Sequence, residues 1–377
     1  MKDLKEIRKD IDKVDQQIID LYKERMGYTS EVAEYKIANH KPVFDKQRED
    51  EKLAYLSSFA GDEFEKQGII ELFELIMSTS RKKQYRLLAD ENRQNYYGFN
   101  FQESFDFSNC TVVYQGVEGA YSQVAMETFF GEGQNCFSVD TWRDAMEVLT
   151  NNKADYAVLP IENSTAGAVT QNYDLLAEYD VCIIGEQEIP IEHCLLGIEG
   201  AKLSDITKVY SHPQAIMQCD GYLRAHDHIA AEAFQNTAMA AKKVHEDNDL
   251  HHAAIAGKIN AKIYGLSVIE EDIQDLKNNV TRFIIVSKEK KFLPTSDKIS
   301  LTFEIPDEEG SLYHILSHFI FNGLNMSKIE SRPLKDKQWE YRFFIDFKGN
   351  LRDEAVQNTL RGLMEETFGL KVLGNYS

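Results

Sequence analysis

Apolar residues recur along the first forty positions at Leu4, Ile7, Ile11, Val14, Ile18, Leu21, Tyr28, Val32 and Tyr35, and Arg25 fills the one remaining place in the series. The steps alternate three and four throughout, the spacing of a helix with a single apolar stripe. An uninterrupted helix from Leu4 to Asn39 is about 50 Å long at 1.5 Å per residue, more than a small domain is wide. Pro42 ends it, and two further helical stretches follow, about Asp45 to Ser58 and Glu63 to Leu88. One overlong helix among three predicts a dimer in which long helices cover each other. A monomeric bundle leaves half the stripe in water.

Residues 91–109 are polar and aromatic without a period and read as a linker after a helical segment 1–90. From Thr111 the pattern changes to short apolar runs, Thr111–Gln115, Cys136–Val139, Tyr156–Pro160 and Val181–Gly185, separated by helical stretches at Tyr121–Phe130, Thr141–Asn151 and Val169–Tyr179. That alternation predicts an α/β sheet with crossovers over 110–290, continuing through Lys208–Tyr210, helices after Pro213 and from Thr237, Ala253–Ala256 and Arg282–Val286. The segment 298–377 reads strand, helix, strand, strand, helix, strand: Ile299–Ile305, Leu312–Asn322, Met326–Pro333, Trp339–Phe347, Leu351–Thr367 and Leu370–Leu373. A βαββαβ order predicts an α+β, ferredoxin-like domain. The chain is therefore multidomain, as its 377 residues suggest.

The net charge of −20 is uneven: −2 over residues 1–100, −15 over 101–298 and −3 over 299–377. Such acidity opposes nucleic acid or an anionic membrane surface as partner. No apolar run is long enough to span a bilayer, and the N-terminus has no apolar signal core, so a cytoplasmic location is expected. Cys110, Cys136, Cys182, Cys194 and Cys219 occur singly, as reduced thiols do.

Arg25 stands where the stripe is otherwise aliphatic or aromatic, and an unpaired buried guanidinium is costly. Lys36 follows eleven residues on, three turns along the same face. Arg8 is rotated by roughly 100° from Arg25, which suits a facing subunit better than the same site. Asp45, Arg48 and Glu49 share one helix face, and Ser80 and Gln84 form an i, i+4 pair. The series Arg8, Asp15, Arg25, Lys36, Pro42-Val43, Asp45, Arg48-Glu49, Ser80 and Gln84 resembles the all-helical chorismate mutases, which form an intertwined dimer of three-helix subunits. The resemblance implies that Arg25 and a partner's Arg8 clamp two carboxylates of chorismate. It gives Lys36 and Gln84 to the ether oxygen, Asp45 and Glu49 to the ring hydroxyl, and Arg48 and Ser80 to the polar wall. A pericyclic rearrangement needs only positioning and charge stabilisation.

In the middle segment three motifs fall where a strand is expected to give way to a helix, where α/β folds usually bind ligands. Gly116-Val-Glu-Gly119-Ala-Tyr121-Ser122 lacks the glycine spacing of a dinucleotide site. Pro160-Ile-Glu-Asn163-Ser164-Thr165 is rich in hydroxyl and amide groups. Tyr210-Ser211-His212-Pro213-Gln214 puts Ser211 at an expected N-cap, with Gln218 inside the helix. Asn279-Val280-Thr281-Arg282-Phe283 enters a strand. These four in this order resemble prephenate dehydratase, whose two α/β lobes are arranged like a periplasmic binding protein. By that resemblance Thr281 assists loss of the ring hydroxyl, as donor or as relay. Asn163, Ser164, Thr165, Ser211, Gln218, Tyr121 and Ser122 position prephenate, and Arg282 supplies charge or secures the turn.

At the C-terminus, Gly310-Ser311-Leu312 and Glu330-Ser331-Arg332-Pro333 resemble the regulatory ACT domain, which implies phenylalanine as effector; Ser311 replaces the usual Ala. No metal-ligand cluster or nicotinamide fingerprint is present, and no cofactor is expected. The whole reads as a mutase, dehydratase and sensor of phenylalanine biosynthesis, working as a homodimer or a dimer of dimers. A fused dehydrogenase would need a dinucleotide motif after the linker. A middle domain that only binds an aromatic acid stays open.

Overall fold

The computed structural model describes residues 2–89, 96–334 and 340–377. Residue 90 at the end of the helical segment, residues 91–95 of the expected linker and Trp339, the first residue of an expected strand, lie outside the described residues. The chain forms two compact units, Met1–Gly98 with Leu301–Lys371 and Phe99–Ser300 with Val372–Ser377.

In the first unit, α1 spans Leu4–Ala38, α2 Lys46–Ser57 and α3 Glu63–Ala89. Asp3 caps α1, accepting from Lys5 N and Glu6 N at 2.7 and 2.9 Å. Only the C-terminal third of α1 packs against α3, burying Met26, Thr29 and Ala33. Lys83 Nζ ties the two helices by donating to Met26 O at 2.6 Å. N-terminal to that contact, Leu4, Ile11, Val14, Ile18 and Leu21 of the apolar stripe are each more than half exposed. Arg25, a stripe position at the edge of the contact, is partly buried.

The second unit begins with β1 (Asn100–Phe101), β2 (Thr111–Gln115), α4 (Tyr121–Phe130), β3 (Asn135–Val139), α5 (Trp142–Thr150), β4 (Tyr156–Asn163), β5 (Gly167–Ala168), α6 (Thr170–Glu178) and β6 (Cys182–Pro190). It continues through β7 (Cys194–Gly197), β8 (Lys208–Ser211), α7 (Pro213–Gln218), α8 (Asp220–Ala225), β9 (Ala230–Ala233) and α9 (Thr237–Asp247). It ends with β10 (His252–Ala256), α10 (Ile259–Tyr264), β11 (Ser267–Glu270), β12 (Val280–Ser287) and β13 (Lys291–Phe292). Two sheets result. One has the order β6-β12-β4-β2-β3, and the other β11-β7-β10-β8-β9. Val112, Val113, Val158, Leu159, Ile284 and Ile285 are wholly buried, which is why these strands read as unbroken apolar runs. The chain crosses between the sheets after β6 and again after β11, and the crossings touch where Ile191 N donates to Asn279 O at 2.8 Å. Of the four-residue strands, β8 is present in the sequence reading and β7, β9 and β11 are not, since so short a run carries little period.

β4 and β12 are longer than expected. Asn163 and Thr281, expected at the ends of their segments, are instead ladder partners, and Thr281 also faces Ile189 of β6. Between Arg282 and Phe283 the register against β4 shifts, with Glu162 and Pro160 as their respective partners. The bulge accommodates a proline that has no N–H to give the ladder.

The C-terminal segment supplies β14 (Lys298–Glu304), α11 (Ser311–Phe321), β15 (Met326–Pro333), β16 (Tyr341–Lys348), α12 (Glu354–Glu366) and β17 (Phe368–Tyr376). Its strands run in the order β15-β16-β14-β17, and α12 packs on α3. None of the described helices is long and apolar enough to cross a membrane.

Candidate functional site

The first cluster is built on α1, α2 and α3. Arg25 Nη1 donates to Ser80 Oγ at 2.5 Å, and that hydroxyl donates to Ile76 O at 2.8 Å. One helical turn on, Gln84 is buried with Nε2 on Ser80 O at 3.3 Å, while its Oε1 has no partner. Lys36 Nζ donates to Val43 O at 2.6 Å. Burial lowers the pKa of both cations. For Arg25 this is offset by Tyr22 and Glu49, and for Lys36 by Asp45, Glu365 and Glu49. Both cations therefore share the field of Glu49. Arg25, Lys36, Glu49, Ser80 and Gln84 form one cluster; Arg8 is exposed on α1, 17 residues before Arg25 and about 25 Å away along the helix.

Asp45 differs from its expected role, because its carboxylate caps α2 by accepting from Arg48 N at 3.1 Å. Arg48 itself is exposed. A residue that sequence reasoning missed is Arg81, whose Nη1 reaches Glu49 Oε2. Its neighbours Lys82 and Lys83 make the three look like a solvated basic run, yet Arg81 and Lys82 are both buried.

The second cluster joins the two sheets of the other unit. Asn163 Nδ2 donates to Thr281 Oγ1 at 2.9 Å and to Asn279 Oδ1 at 2.7 Å. Its Oδ1 accepts from Thr165 Oγ1, Thr165 N and Ala166 N at 2.7, 3.1 and 2.9 Å. Gln218 Nε2 crosses from α7 to Thr165 Oγ1 at 3.2 Å, and its Oε1 meets His193 Nε2 at 2.9 Å. Burial lowers the pKa of His193, against the hydrogen bond its ring makes to Gln218 Oε1, which raises it. His193 Nδ1 and Asn279 Nδ2 are buried without partners, which leaves both available to a ligand or a water. Neither was a candidate by sequence, although Asn279 lies within a quoted motif.

Several expected ligands are already engaged. Ser211 does not cap α7; His212 does, and Ser211 Oγ donates to Ile255 O at 2.5 Å. Arg282 projects on the strand face opposite Thr281, where Nη2 and Nη1 meet Glu162 and Glu186 at 3.2 and 3.1 Å. Lys298 adds a further cation to Glu186. Arg282 is thus held within an ionic network rather than offered to an anion. Ser164 Oγ donates to Asn278 O at 3.0 Å and accepts from Val280 N at 2.9 Å. Tyr121 OH donates to Glu192 O at 2.7 Å, with its ring edge-on to His193. Ser122 is buried in the first turn of α4.

In the C-terminal segment Gly310 caps α11 with φ +76° and no side-chain cap bond, and Ser311 and Leu312 open the helix. On β15 Glu330 and Arg332 are half-buried, and Ser331 and Pro333 are exposed on the other face.

Comparison with known proteins gives a consistent picture. The family model for chorismate mutase type II matches residues 7–85, and that for prephenate dehydratase matches residues 112–291. A bifunctional chorismate mutase/prephenate dehydratase of Aquifex aeolicus is 33% identical, covering 100% of this chain and 98% of that protein. An arogenate dehydratase/prephenate dehydratase of Arabidopsis thaliana is 39% identical over 71% of this chain and 73% of its own. The crystal structure of an Arthrobacter aurescens prephenate dehydratase in complex with L-Phe is similar at TM-score 0.66 and 32% identity, covering 71% of this chain and 89% of that one.

Proposed function

The chain belongs to the bifunctional chorismate mutase/prephenate dehydratase family, and from that premise we propose that it rearranges chorismate to prephenate and converts prephenate to phenylpyruvate. Residues 1–90 act as the mutase, 110–290 as the dehydratase and 298–377 as the sensor of phenylalanine.

In the mutase, Arg25 and the partner subunit's Arg8 hold the two carboxylates. Lys36 meets the ether oxygen as its bond to carbon lengthens and charge gathers there. Gln84 joins it once its amide turns over, which brings Nε2 to the place of the unpartnered Oε1. Glu49 accepts from the ring hydroxyl, and Arg48 and Asp45 line the approach. The exposed stripe on α1 supports a homodimer, or a dimer of dimers, in which Arg8 reaches the neighbouring site.

For the dehydratase, the observation that carries the reading is the Asn163–Thr281 hydrogen bond. Because the amide donates, the threonine oxygen accepts and its own O–H is left to point at the substrate. Decarboxylation sends the C–CO2 electron pair into the ring and expels hydroxide, which takes a proton and departs as water. Thr281 donates to that oxygen as it leaves and recovers its proton from solvent, since a free hydroxyl is a weak acid. Asn279 Nδ2, His193, Gln218 and Thr165 orient the substrate. Two sheets joined by two crossings support a periplasmic-binding-protein-like pair of lobes closing on it.

The strand order β15-β16-β14-β17 supports a ferredoxin-like ACT domain. Phenylalanine binds at Gly310–Leu312, with Glu330–Pro333 beside it. The uncapped N–H groups of α11 and the L-Phe complex of the Arthrobacter relative support that placement. The five cysteines, all free thiols, suit a reducing cytoplasm. The test is to supply chorismate to the full chain and quantify prephenate and phenylpyruvate with and without phenylalanine. Both products are expected, with less phenylpyruvate when phenylalanine is present. Supplied prephenate that persists unchanged would leave the middle segment a binding module.

A further inference from the structure

Glu365 and Glu366 close α12, in the turn where the helix dipole disfavours carboxylates. Both are nevertheless engaged by the three-helix segment of the same unit. Glu366 clamps Arg81, with Nε to Oε1 at 2.9 Å and Nη2 to Oε2 at 3.2 Å, while the far nitrogen of that guanidinium reaches Glu49 Oε2. Glu365 Oε2 accepts from Phe44 N at 2.8 Å, and the carbonyl of the preceding Val43 accepts from Lys36 Nζ. Tyr85 OH donates to both glutamates at 3.3 Å, and the Phe44 ring lies 5.0 Å from the Arg81 guanidinium carbon.

The Arg81 and Glu366 side chains are 7% and 5% exposed. Burial would raise the Glu366 carboxyl, but His318 and Arg81 outweigh it and bring it down to about 2. Burial works against Arg81 as well, and Glu366 and Glu49 raise its pKa in spite of it. A buried charge triad gives little net stability relative to apolar packing. Its distinct effect is to remove the rotamer freedom of Glu49 on the otherwise open face of α2.

We propose that Glu366, acting through Arg81, and Glu365, acting through the Phe44 turn, are positioning residues of the mutase site, holding Glu49 and Lys36 where chorismate meets them. The inference rests on the mutase reading of that site. Neither glutamate touches substrate.

The experiment is a double-mutant cycle in the full chain. Glu366→Gln raises the KM for chorismate about tenfold, about 1.4 kcal/mol of ground-state binding, with little change in kcat, because Glu49 is no longer held where it meets the substrate. Dehydratase turnover of supplied prephenate stays at the wild-type level. In a Glu49→Gln background, Glu366→Gln adds nothing, because its effect passes through Glu49. Losses that multiply in the double variant, or a Glu366→Gln variant with wild-type KM, overturn the proposal. Should Glu366→Gln fail to fold, Arg81→Lys carries the same cycle, keeping the charge and losing the fork. Wild-type protein inert toward chorismate would instead overturn the mutase reading itself.

Discussion

Asn163 and Thr281 face each other across the β4–β12 ladder, and the amide of the first donates to the hydroxyl of the second at 2.9 Å. The direction of that bond matters more than its length, because an accepting hydroxyl keeps its own proton available.

Reversing the bond should therefore cost activity as surely as removing the hydroxyl. Thr281→Val is expected to lower dehydratase kcat by on the order of 10²–10⁴, the usual worth of a positioned proton donor. Thr281→Ser retains most of it. Asn163→Asp puts an acceptor opposite Thr281 and draws its proton away, so it should resemble Thr281→Val. Mutase activity measured in the same preparations stays unchanged; parallel loss of both activities would count against separate sites.

Lys36 is the mutase counterpart. In the proposed scheme, replacing it with alanine removes a donor at the oxygen where charge develops, with an expected loss of about 10²–10³ in kcat. Steady-state assays with chorismate and with prephenate separate the two activities, and the second should not change.

The dimer can be tested by complementation. Arg8→Ala and Arg25→Ala are each inactive in the proposed scheme, yet a mixed dimer contains one site with both arginines intact. Equal mixing with subunit exchange should restore about a quarter of wild-type mutase activity. No recovery, with exchange verified by mass, would place Arg8 outside the site.

Lys82 gives a prediction in pH. It is buried in α3 with Nζ donating to Ser317 Oγ at 2.8 Å. Burial is the main cause of its lowered pKa; Glu366 opposes the shift, Arg81 adds to it, and the result is about 8. The unfolded chain binds this proton more tightly, so between about pH 8 and the ordinary lysine value the unfolded state carries more protons and stability rises with pH. Below pH 8 the penalty is fully present. Lys82→Met should accordingly raise the thermal midpoint at neutral pH, with a gain that shrinks as the pH approaches 10.

Much of this was readable along the chain. The ends of α1 and α4, the order of elements after residue 298 and the resemblance of each segment follow from periodicity, caps and short motifs, which are local properties. Asn163, Gln218 and Thr281 were identified as residues worth attention, and so were Arg25 and Lys36. Their relations were not. Ser211 looks like an N-cap because its sequence context permits one, and only the approach of β10 takes its hydroxyl for Ile255 O. Arg282 looks like a free cation until strands from either side bring Glu162 and Glu186 to it.

Arg81 marks the boundary most clearly. In sequence it begins a basic run of the sort that usually faces water, while Glu365 and Glu366 end a helix at its unfavourable pole. Each choice is poor by itself. The sequence alone determined the order of elements and the polar residue types gathered in each segment, since helix period, strand alternation and motif spacing act over a few residues. Tertiary structure decided which polar groups remain available and which are spent on one another. That outcome depends on desolvation and pairing between positions as distant as Arg81 and Glu366, 285 residues apart, and no local pattern records it.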